Sequence, residues 1–271
     1  DWPLAVHQIV RGLFKKVVIA DNLAPVVEQV FRNPANFSAE MVLLGAILFS
    51  LEIYCDFSGY TDMAIGLAAL LGVRLGLNFQ FPYFATSITD FWRRWHISLS
   101  TWLRDYLYIP LGGNRSGRVR TYINLMLTML LGGLWHGPSW NFVLWGFLHG
   151  LYLALERVIP FRQGGPFRFL LLPPVFLLVT LTWIPFVTSS FALTLEAFAQ
   201  IFLWRGGEAI ASSALTPVYL CLALFFLFEL CEYAGQRRMW PPLRGAISGA
   251  YASLTTFLGA GEVRQFIYFA F

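Results

Sequence analysis

Charge is scarce in this chain of 271 residues. Only 13% are Asp, Glu, Lys or Arg, against about 25% in an ordinary soluble domain. Lysine is nearly missing: Lys15 and Lys16 are the only two among 19 basic residues, and the rest are arginine. Cysteine is limited to Cys55, Cys221 and Cys231, with no Cys-x-x-Cys pair and no Cys/His cluster at zinc spacing. A disulfide scaffold and a zinc module are therefore excluded, and the thiols read as structural or free. The nucleotide loops Gly-x-x-x-x-Gly-Lys-Ser/Thr and Gly-x-Gly-x-x-Gly do not occur, and neither does a Gly-x-Ser-x-Gly elbow. Nucleotide-loop and serine-hydrolase chemistry lose their usual signatures. There is no internal repeat, no low-complexity tract and no signal-peptide pattern at the start.

What fills the chain is apolar. Hydrophobic residues make up 57%, aromatics 17%, and 26 residues are Phe. The mean hydropathy is +0.61. A disordered chain and an ordinary soluble enzyme are both excluded, which leaves a polytopic membrane protein. The net charge of +4 comes from arginines in short loops between apolar runs. Loop topology explains it better than nucleic acid, which is not expected as a partner.

A membrane helix needs about 20 mostly apolar residues. Residues 169–195 and 209–228 meet that without a charge, and residues 245–261 are shorter and rich in small residues, suited to packing inside a bundle. Residues 41–72 are apolar but carry Glu52, Asp56 and Asp62, which should face protein or a wet cavity. Asp56 and Asp62 line an ion path or pair with an arginine; pairing is the favoured reading.

The longest charge-free run is 121–155, 35 residues. As one helix it would be about 52 Å long, too long for a single span. Gly132, Gly133, Gly137 and Pro138 interrupt it, and both flanks are basic: Arg115, Arg118 and Arg120 before, Arg157, Arg162 and Arg168 after. The positive-inside rule puts both flanks on one side. The chain is thus expected to enter and return, with arms of about 15 residues, a rise of about 22 Å, and a turn at His136-Gly137-Pro138 buried in protein or lining a cavity.

Two stretches read as interfacial. His7, Arg11 and Lys15, at i, i+4 and i+8, form a polar stripe suited to anionic headgroups. In 87–109, Ser87 and Asp90 resemble a capping box and Asp90 and Arg94 are an i, i+4 pair. Trp92, Trp95 and Trp102 belong there to an interfacial aromatic belt.

Four histidines are present: His7, His96, His136 and His149. An imidazole in an apolar hairpin is costly without a role or a partner. His136, among glycines that admit close approach, is therefore a candidate functional residue; the competing reading is a core histidine bonded to a helix carbonyl. His149 lies 13 residues later, about 220° round a continuous helix, so it is expected on another face and reads as structural. His96, beside Arg93 and Arg94, is a candidate for phosphate contact or a plain surface residue.

The run Asp90-Phe-Trp-Arg-Arg-Trp-His-Ile-Ser-Leu-Ser-Thr-Trp-Leu-Arg-Asp-Tyr-Leu-Tyr-Ile-Pro-Leu-Gly-Gly-Asn-Arg115 resembles a signature of the bacterial membrane-bound O-acyltransferases. Leu130-Leu-Gly-Gly-Leu-Trp-His136-Gly resembles their active-site histidine motif. Arg11-Gly-Leu-Phe-Lys-Lys-Val, Asp56-Phe-Ser-Gly-Tyr-Thr-Asp-Met-Ala-Ile-Gly66 and the last residues, 266–271, also match. Within the family the alginate O-acetyltransferase branch is most similar.

The resemblance implies an all-α polytopic bundle of transmembrane helices, with interfacial and re-entrant helices around a central tunnel. Residues 1–271 would be the C-terminal portion of one integral membrane domain whose further helices lie upstream. It implies His136 as the catalytic histidine and His96 as the second. Beside them, Arg93, Arg94 and Arg104 are candidates for the donor's phosphates or for inner-leaflet headgroups, and Asn141 is a substrate-binding candidate. It implies no bound cofactor and no metal, with acetyl-CoA or an acyl-carrier thioester as donor. The acceptor would be a polysaccharide or a periplasmic acetyltransferase partner, the setting the bacterial inner membrane crossed several times. Other readings are D-alanyl or peptidoglycan acyl transfer within the family, a transporter or export channel, and a scaffold that recruits a periplasmic acetyltransferase.

Overall fold

The computed structural model describes residues 2–158, 168–235, 241–260 and 264–267. The loop expected over 160–166, with Arg162, and residues 268–271 of the closing motif lie outside them. In chain order the helices are α1 (Trp2–Leu13), α2 (Asp21–Arg32), α3 (Ala39–Leu70), α4 (Ile88–Trp92), α5 (Ile97–Leu103), α6 (Arg118–His136), α7 (Trp140–Val158), α8 (Leu172–Val187), α9 (Phe191–Phe202), α10 (Ser212–Gly235) and α11 (Pro241–Leu258). π-Helical turns follow α1 over Phe14–Ala20 and α5 over Arg104–Tyr108. Among the described residues there is no strand, only an isolated bridge between Phe37 and Glu208. The chain is an all-α membrane helix bundle. Three helical stretches are long and apolar enough to cross a membrane: Ala39–Leu70, Arg168–Val187 and Ser212–Ala234.

Two compact units interleave along the sequence. The first comprises Asp1–Val30, Asn36–Leu77 and Gly206–Phe271. Its axis is α3, a largely apolar helix that carries three buried acids, Glu52, Asp56 and Asp62. α1 lies antiparallel against it: Gly12 faces Gly59, and Ala5 faces Gly66. A Cβ on Gly12 would sit 2.5 Å from the Gly59 carbonyl oxygen, so only glycine allows the backbones this close.

That approach settles where the charges go. Arg11 clamps Asp62 through two nitrogens at 3.0 and 2.6 Å, and Lys15 reaches the same carboxylate at 3.0 Å. Lys16 bonds Asp56 at 2.7 Å and Asp21 at 2.8 Å. Glu232 of α10 takes Arg11 at 3.3 Å and His7 at 3.2 Å. The π-helical turn widens the backbone where the adjacent Lys15 and Lys16 both turn inward to different acids.

This corrects the expectation for α1. His7 and Lys15 are buried, so the stripe does not meet headgroups. A headgroup helix and a helix that neutralises buried carboxylates have the same sequence pattern; α3 supplies the carboxylates. Asp62 pairs with an arginine as expected, whereas the partner of Asp56 is Lys16. α11 packs as the small-residue reading expected: Ser248 hydrogen-bonds His7 at 2.8 Å and Tyr251 donates to Glu232 at 3.1 Å.

The second unit comprises Phe31–Ala35 and Asn78–Arg205. Its centre is the α6–α7 hairpin, turning through Gly137, Pro138 and Ser139 as expected. A Cβ on Gly133 would collide with the Phe142 carbonyl, and one on Gly146 with the Met129 carbonyl, so the arms pack backbone against backbone. At the other end the basic flanks meet: Arg118 and Arg157 line one groove of about 610 Å³ with Asn114 and Tyr122.

The apolar run expected over 169–195 is not one helix. α8 ends at Val187, after Pro185, and Ser190 caps α9 by accepting from the Leu193 N–H at 3.3 Å. The stretch 87–109 also breaks, at His96, into α4 and α5. Its cap is real: Ser87 accepts from the Asp90 N–H at 3.0 Å, and Arg94 pairs with Asp90 at 2.8 Å. Its tryptophans divide. Trp102 is exposed but Trp95 is buried, packed on Phe91 and Trp183, so it belongs to the core and not to a belt.

Candidate active site

His96 occupies the joint between α4 and α5 with left-handed backbone, φ +43°. That conformation is uncommon for a side chain with a Cβ, although His is among the residues that tolerate it. Two backbone bonds clip the joint to an upstream segment: Ile97 N–H to Asn78 O at 2.9 Å and Gln80 N–H to Arg94 O at 2.9 Å.

The Asn78 side chain then determines the tautomer of His96. Its Oδ1 accepts from the Ser98 backbone N–H at 3.1 Å and the Ser98 hydroxyl at 2.9 Å. A backbone N–H can only donate, so this atom is the amide oxygen. His96 Nδ1 lies 3.3 Å from it and 3.4 Å from the Ser98 hydroxyl, and since that hydroxyl donates to the same amide oxygen, the arrangement favours the hydrogen on Nδ1. Nε2 is left with the lone pair, the form a base requires. His96 is buried. Burial, and secondarily His136, push its imidazole down to about 4, so it is neutral at pH 7.

His136 is the last residue of α6, half-buried at the hairpin turn. Rings of Trp135, Phe142, Trp145 and Phe186 surround it, with centroids at 5.1, 6.0, 5.2 and 5.0 Å. Aromatic contacts run from the neighbour of one histidine to the other: Trp95 to Trp183 at 4.9 Å, Trp183 to Phe186 at 5.3 Å, Phe186 to His136. This chain of rings links the two expected histidines, His136 lying inside aromatic walls and His96 buried beside Asn78 and Ser98.

The other expected residues divide. Arg94 is held by Asp90, and exposed Arg104 by its neighbour Asp105 at 2.7 Å. The Arg93 guanidinium is exposed and bonds to none of the described residues. Asn141 is buried; its Nδ2 donates to the Thr188 carbonyl at 2.9 Å and its Oδ1 accepts from Thr194 at 3.1 Å. It ties α7 to the α8–α9 corner. His149 is fully buried, and Trp145 touches it as well as His136, with centroids at 4.8 and 5.2 Å. The phase of a continuous helix does not apply to these two histidines, because Gly137 and Pro138 break the helix between them.

Sequence reasoning missed Asn78 and Trp145. Asn78 sits 18 residues before its partner in a segment without periodicity and left no signal. Trp145 stood out only as one of ten tryptophans.

With this geometry in view, residues 2–167 match the family model of the membrane-bound O-acyltransferases. The chain is 42% identical to a probable alginate O-acetylase, AlgI, of Azotobacter vinelandii over 248 residues, covering 88% of this chain and 48% of that protein. It is 48% identical to a probable AlgI of Pseudomonas fluorescens over 236 residues, 81% of this chain and 46% of that protein. It is 50% identical to the peptidoglycan O-acetyltransferase of Helicobacter pylori over 146 residues, 54% of this chain and 28% of that protein. The chain spans about half the length of the alginate relatives it matches.

Proposed function

The chain belongs to the membrane-bound O-acyltransferase family, and from that premise we propose that the intact protein moves an acetyl group from a thioester to a hydroxyl of an exopolysaccharide. The observation that carries the reading is a half-buried His136 ringed by aromatic side chains and linked through Phe186, Trp183 and Trp95 to the segment of buried His96. A hydroxyl is a weak nucleophile at neutral pH and needs a neutral imidazole beside it.

In this reading the acceptor O–H gives its proton to His136 as its oxygen attacks the thioester carbonyl carbon. The oxyanion collapses, the C–S bond breaks, and the thiolate leaves with the proton held by His136. His96, neutral and fixed by Asn78, orients donor or acceptor by accepting a hydrogen bond at Nε2. The aromatic walls exclude water that would hydrolyse the thioester. The donor is acetyl-CoA or an acyl-carrier thioester, with Arg93, and Arg94 and Arg104 if their carboxylates yield, at its phosphates. Asn141 acts by holding the α7–α9 corner. The acceptor is the polymer or a periplasmic acetyltransferase that passes the group on. The setting is the bacterial inner membrane, crossed several times. Asp56 and Asp62 are closed by Lys16, Arg11 and Lys15, which takes those two carboxylates out of a transport pathway.

The test is transfer of labelled acetyl from acetyl-CoA by the intact protein in proteoliposomes. His136→Ala should lower it by about 10²–10⁴-fold while insertion is unchanged. Undiminished transfer in that variant would remove the reading.

A further inference from the structure

His149 is fully buried, yet neither of its ring nitrogens hydrogen-bonds to a described residue. Around it stand Phe91 at 6.2 Å, Trp92 at 5.0 Å, Trp145 at 4.8 Å and Trp183 at 6.4 Å between centroids. The indole N–H groups of Trp92, Trp145 and Trp183 also bond to no described residue. Each indole is a donor only, and a neutral imidazole is one donor and one acceptor. The cluster therefore presents four donors and a single acceptor.

A buried polar group without a partner lowers stability, and an apolar ring of similar shape would not. His149 thus carries a structural cost that phenylalanine would avoid, one ring away from His136. Its place also links two parts of the site. Trp92 and Phe91 belong to α4, which leads to His96, and Trp145 lies on α7 against the His136 ring.

We propose that His149 is a positioning residue for the transfer reaction: with the adjoining indole N–H groups it takes an oxygen hydrogen-bond acceptor, and this fixes Trp145 against His136. The acceptor chemistry is that of a water oxygen or of the donor's acyl carbonyl. The proposal rests on the acyl-transfer reading above.

The test compares wild type, His136→Ala, His149→Phe and His149→Gln of the intact protein, measuring acetyl transfer from acetyl-CoA together with thermal unfolding. Phenylalanine keeps the ring and removes the nitrogens; glutamine restores a donor and an acceptor. His149→Phe should melt at or above the wild-type temperature and lose about tenfold to a hundredfold in kcat/KM, the scale set by misplacing a catalytic group. His149→Gln should recover part of that loss. A fall in kcat at constant donor KM identifies water as the ligand, and a rise in donor KM identifies the acyl carbonyl. Transfer by His149→Phe within twofold of wild type would overturn the proposal. A lowered melting temperature or failure to fold would overturn it too, by making the nitrogens structural. If instead wild type is inert, or His136→Ala is as active as wild type, the acyl-transfer reading itself falls, and this proposal with it.

Discussion

Asn78 holds His96 from 18 residues upstream: its Oδ1 lies 3.3 Å from His96 Nδ1, and the Ser98 backbone N–H, donating to the same oxygen, leaves no freedom in which way the amide faces. The base form of His96 is therefore a property of a loop residue that the motif around the histidine does not contain.

Replacing that residue should be visible in catalysis. Asn78→Leu removes the acceptor that holds the hydrogen on Nδ1, and acetyl transfer should fall about tenfold or more with little loss of insertion. Steady-state transfer in proteoliposomes measures it; an unchanged kcat would mean that the tautomer is set elsewhere.

The low value of His96 has a direction in pH. The folded imidazole takes up a proton only near pH 4, against an ordinary value of 6.5, because burial disfavours its charge. The unfolded chain binds that proton first as pH falls, so the stability contributed above pH 6.5 is lost between about 6.5 and 4. Thermal unfolding across this window should decline more steeply for wild type than for His96→Gln. Parallel slopes would show that His96 does not contribute.

The buried ions of the first unit make a stability prediction. Lys16 neutralises Asp56 and Asp21, all three being almost wholly buried. Lys16→Met should destabilise by about 3–5 kcal/mol, as removal of one partner from a buried pair does. Replacing Lys16, Asp56 and Asp21 together with apolar residues should restore much of it. Thermal unfolding in detergent provides the comparison.

The hairpin predicts a steric effect. Gly146→Val places a branched side chain against the Met129 carbonyl and must separate α6 from α7. A loss of about 1–3 kcal/mol, with reduced transfer through a displaced His136, is expected. Ala at Gly76, where a Cβ meets nothing within 4 Å, is the control and should melt like wild type.

The three arginines near His96 should behave differently. The Arg93 guanidinium is exposed and held by no described residue, whereas Asp105 binds Arg104. Arg93→Ala should raise the donor KM about tenfold, the scale of one charged hydrogen bond, and Arg104→Ala much less. Equal donor KM in wild type and Arg93→Ala would dispose of a phosphate contact there.

Much was legible in the chain because the signals were local. The hairpin could be read from a charge-free run with basic flanks and a Gly-Pro break, since each follows from what hydrocarbon accepts. The Ser87 cap and the Asp90–Arg94 pair span one helical turn. Trp95 was misplaced because a tryptophan has the same composition signal in a belt and in a core, and only its neighbours Phe91 and Trp183 tell the two apart.

By itself the sequence determined an all-α membrane protein, two candidate site histidines, and the need for Asp56 and Asp62 to find cations. Tertiary structure decided which cations those are, which nitrogen of His96 holds the lone pair, and that His136 and His149 share Trp145. The reason is reach. Hydrophobic periodicity and charge flanks act within a helix or a loop. The bonds from Lys15 to Asp62 and from Asn141 to Thr188 each join residues 47 apart in sequence, and the phase of a helix does not survive a break such as Gly137–Pro138.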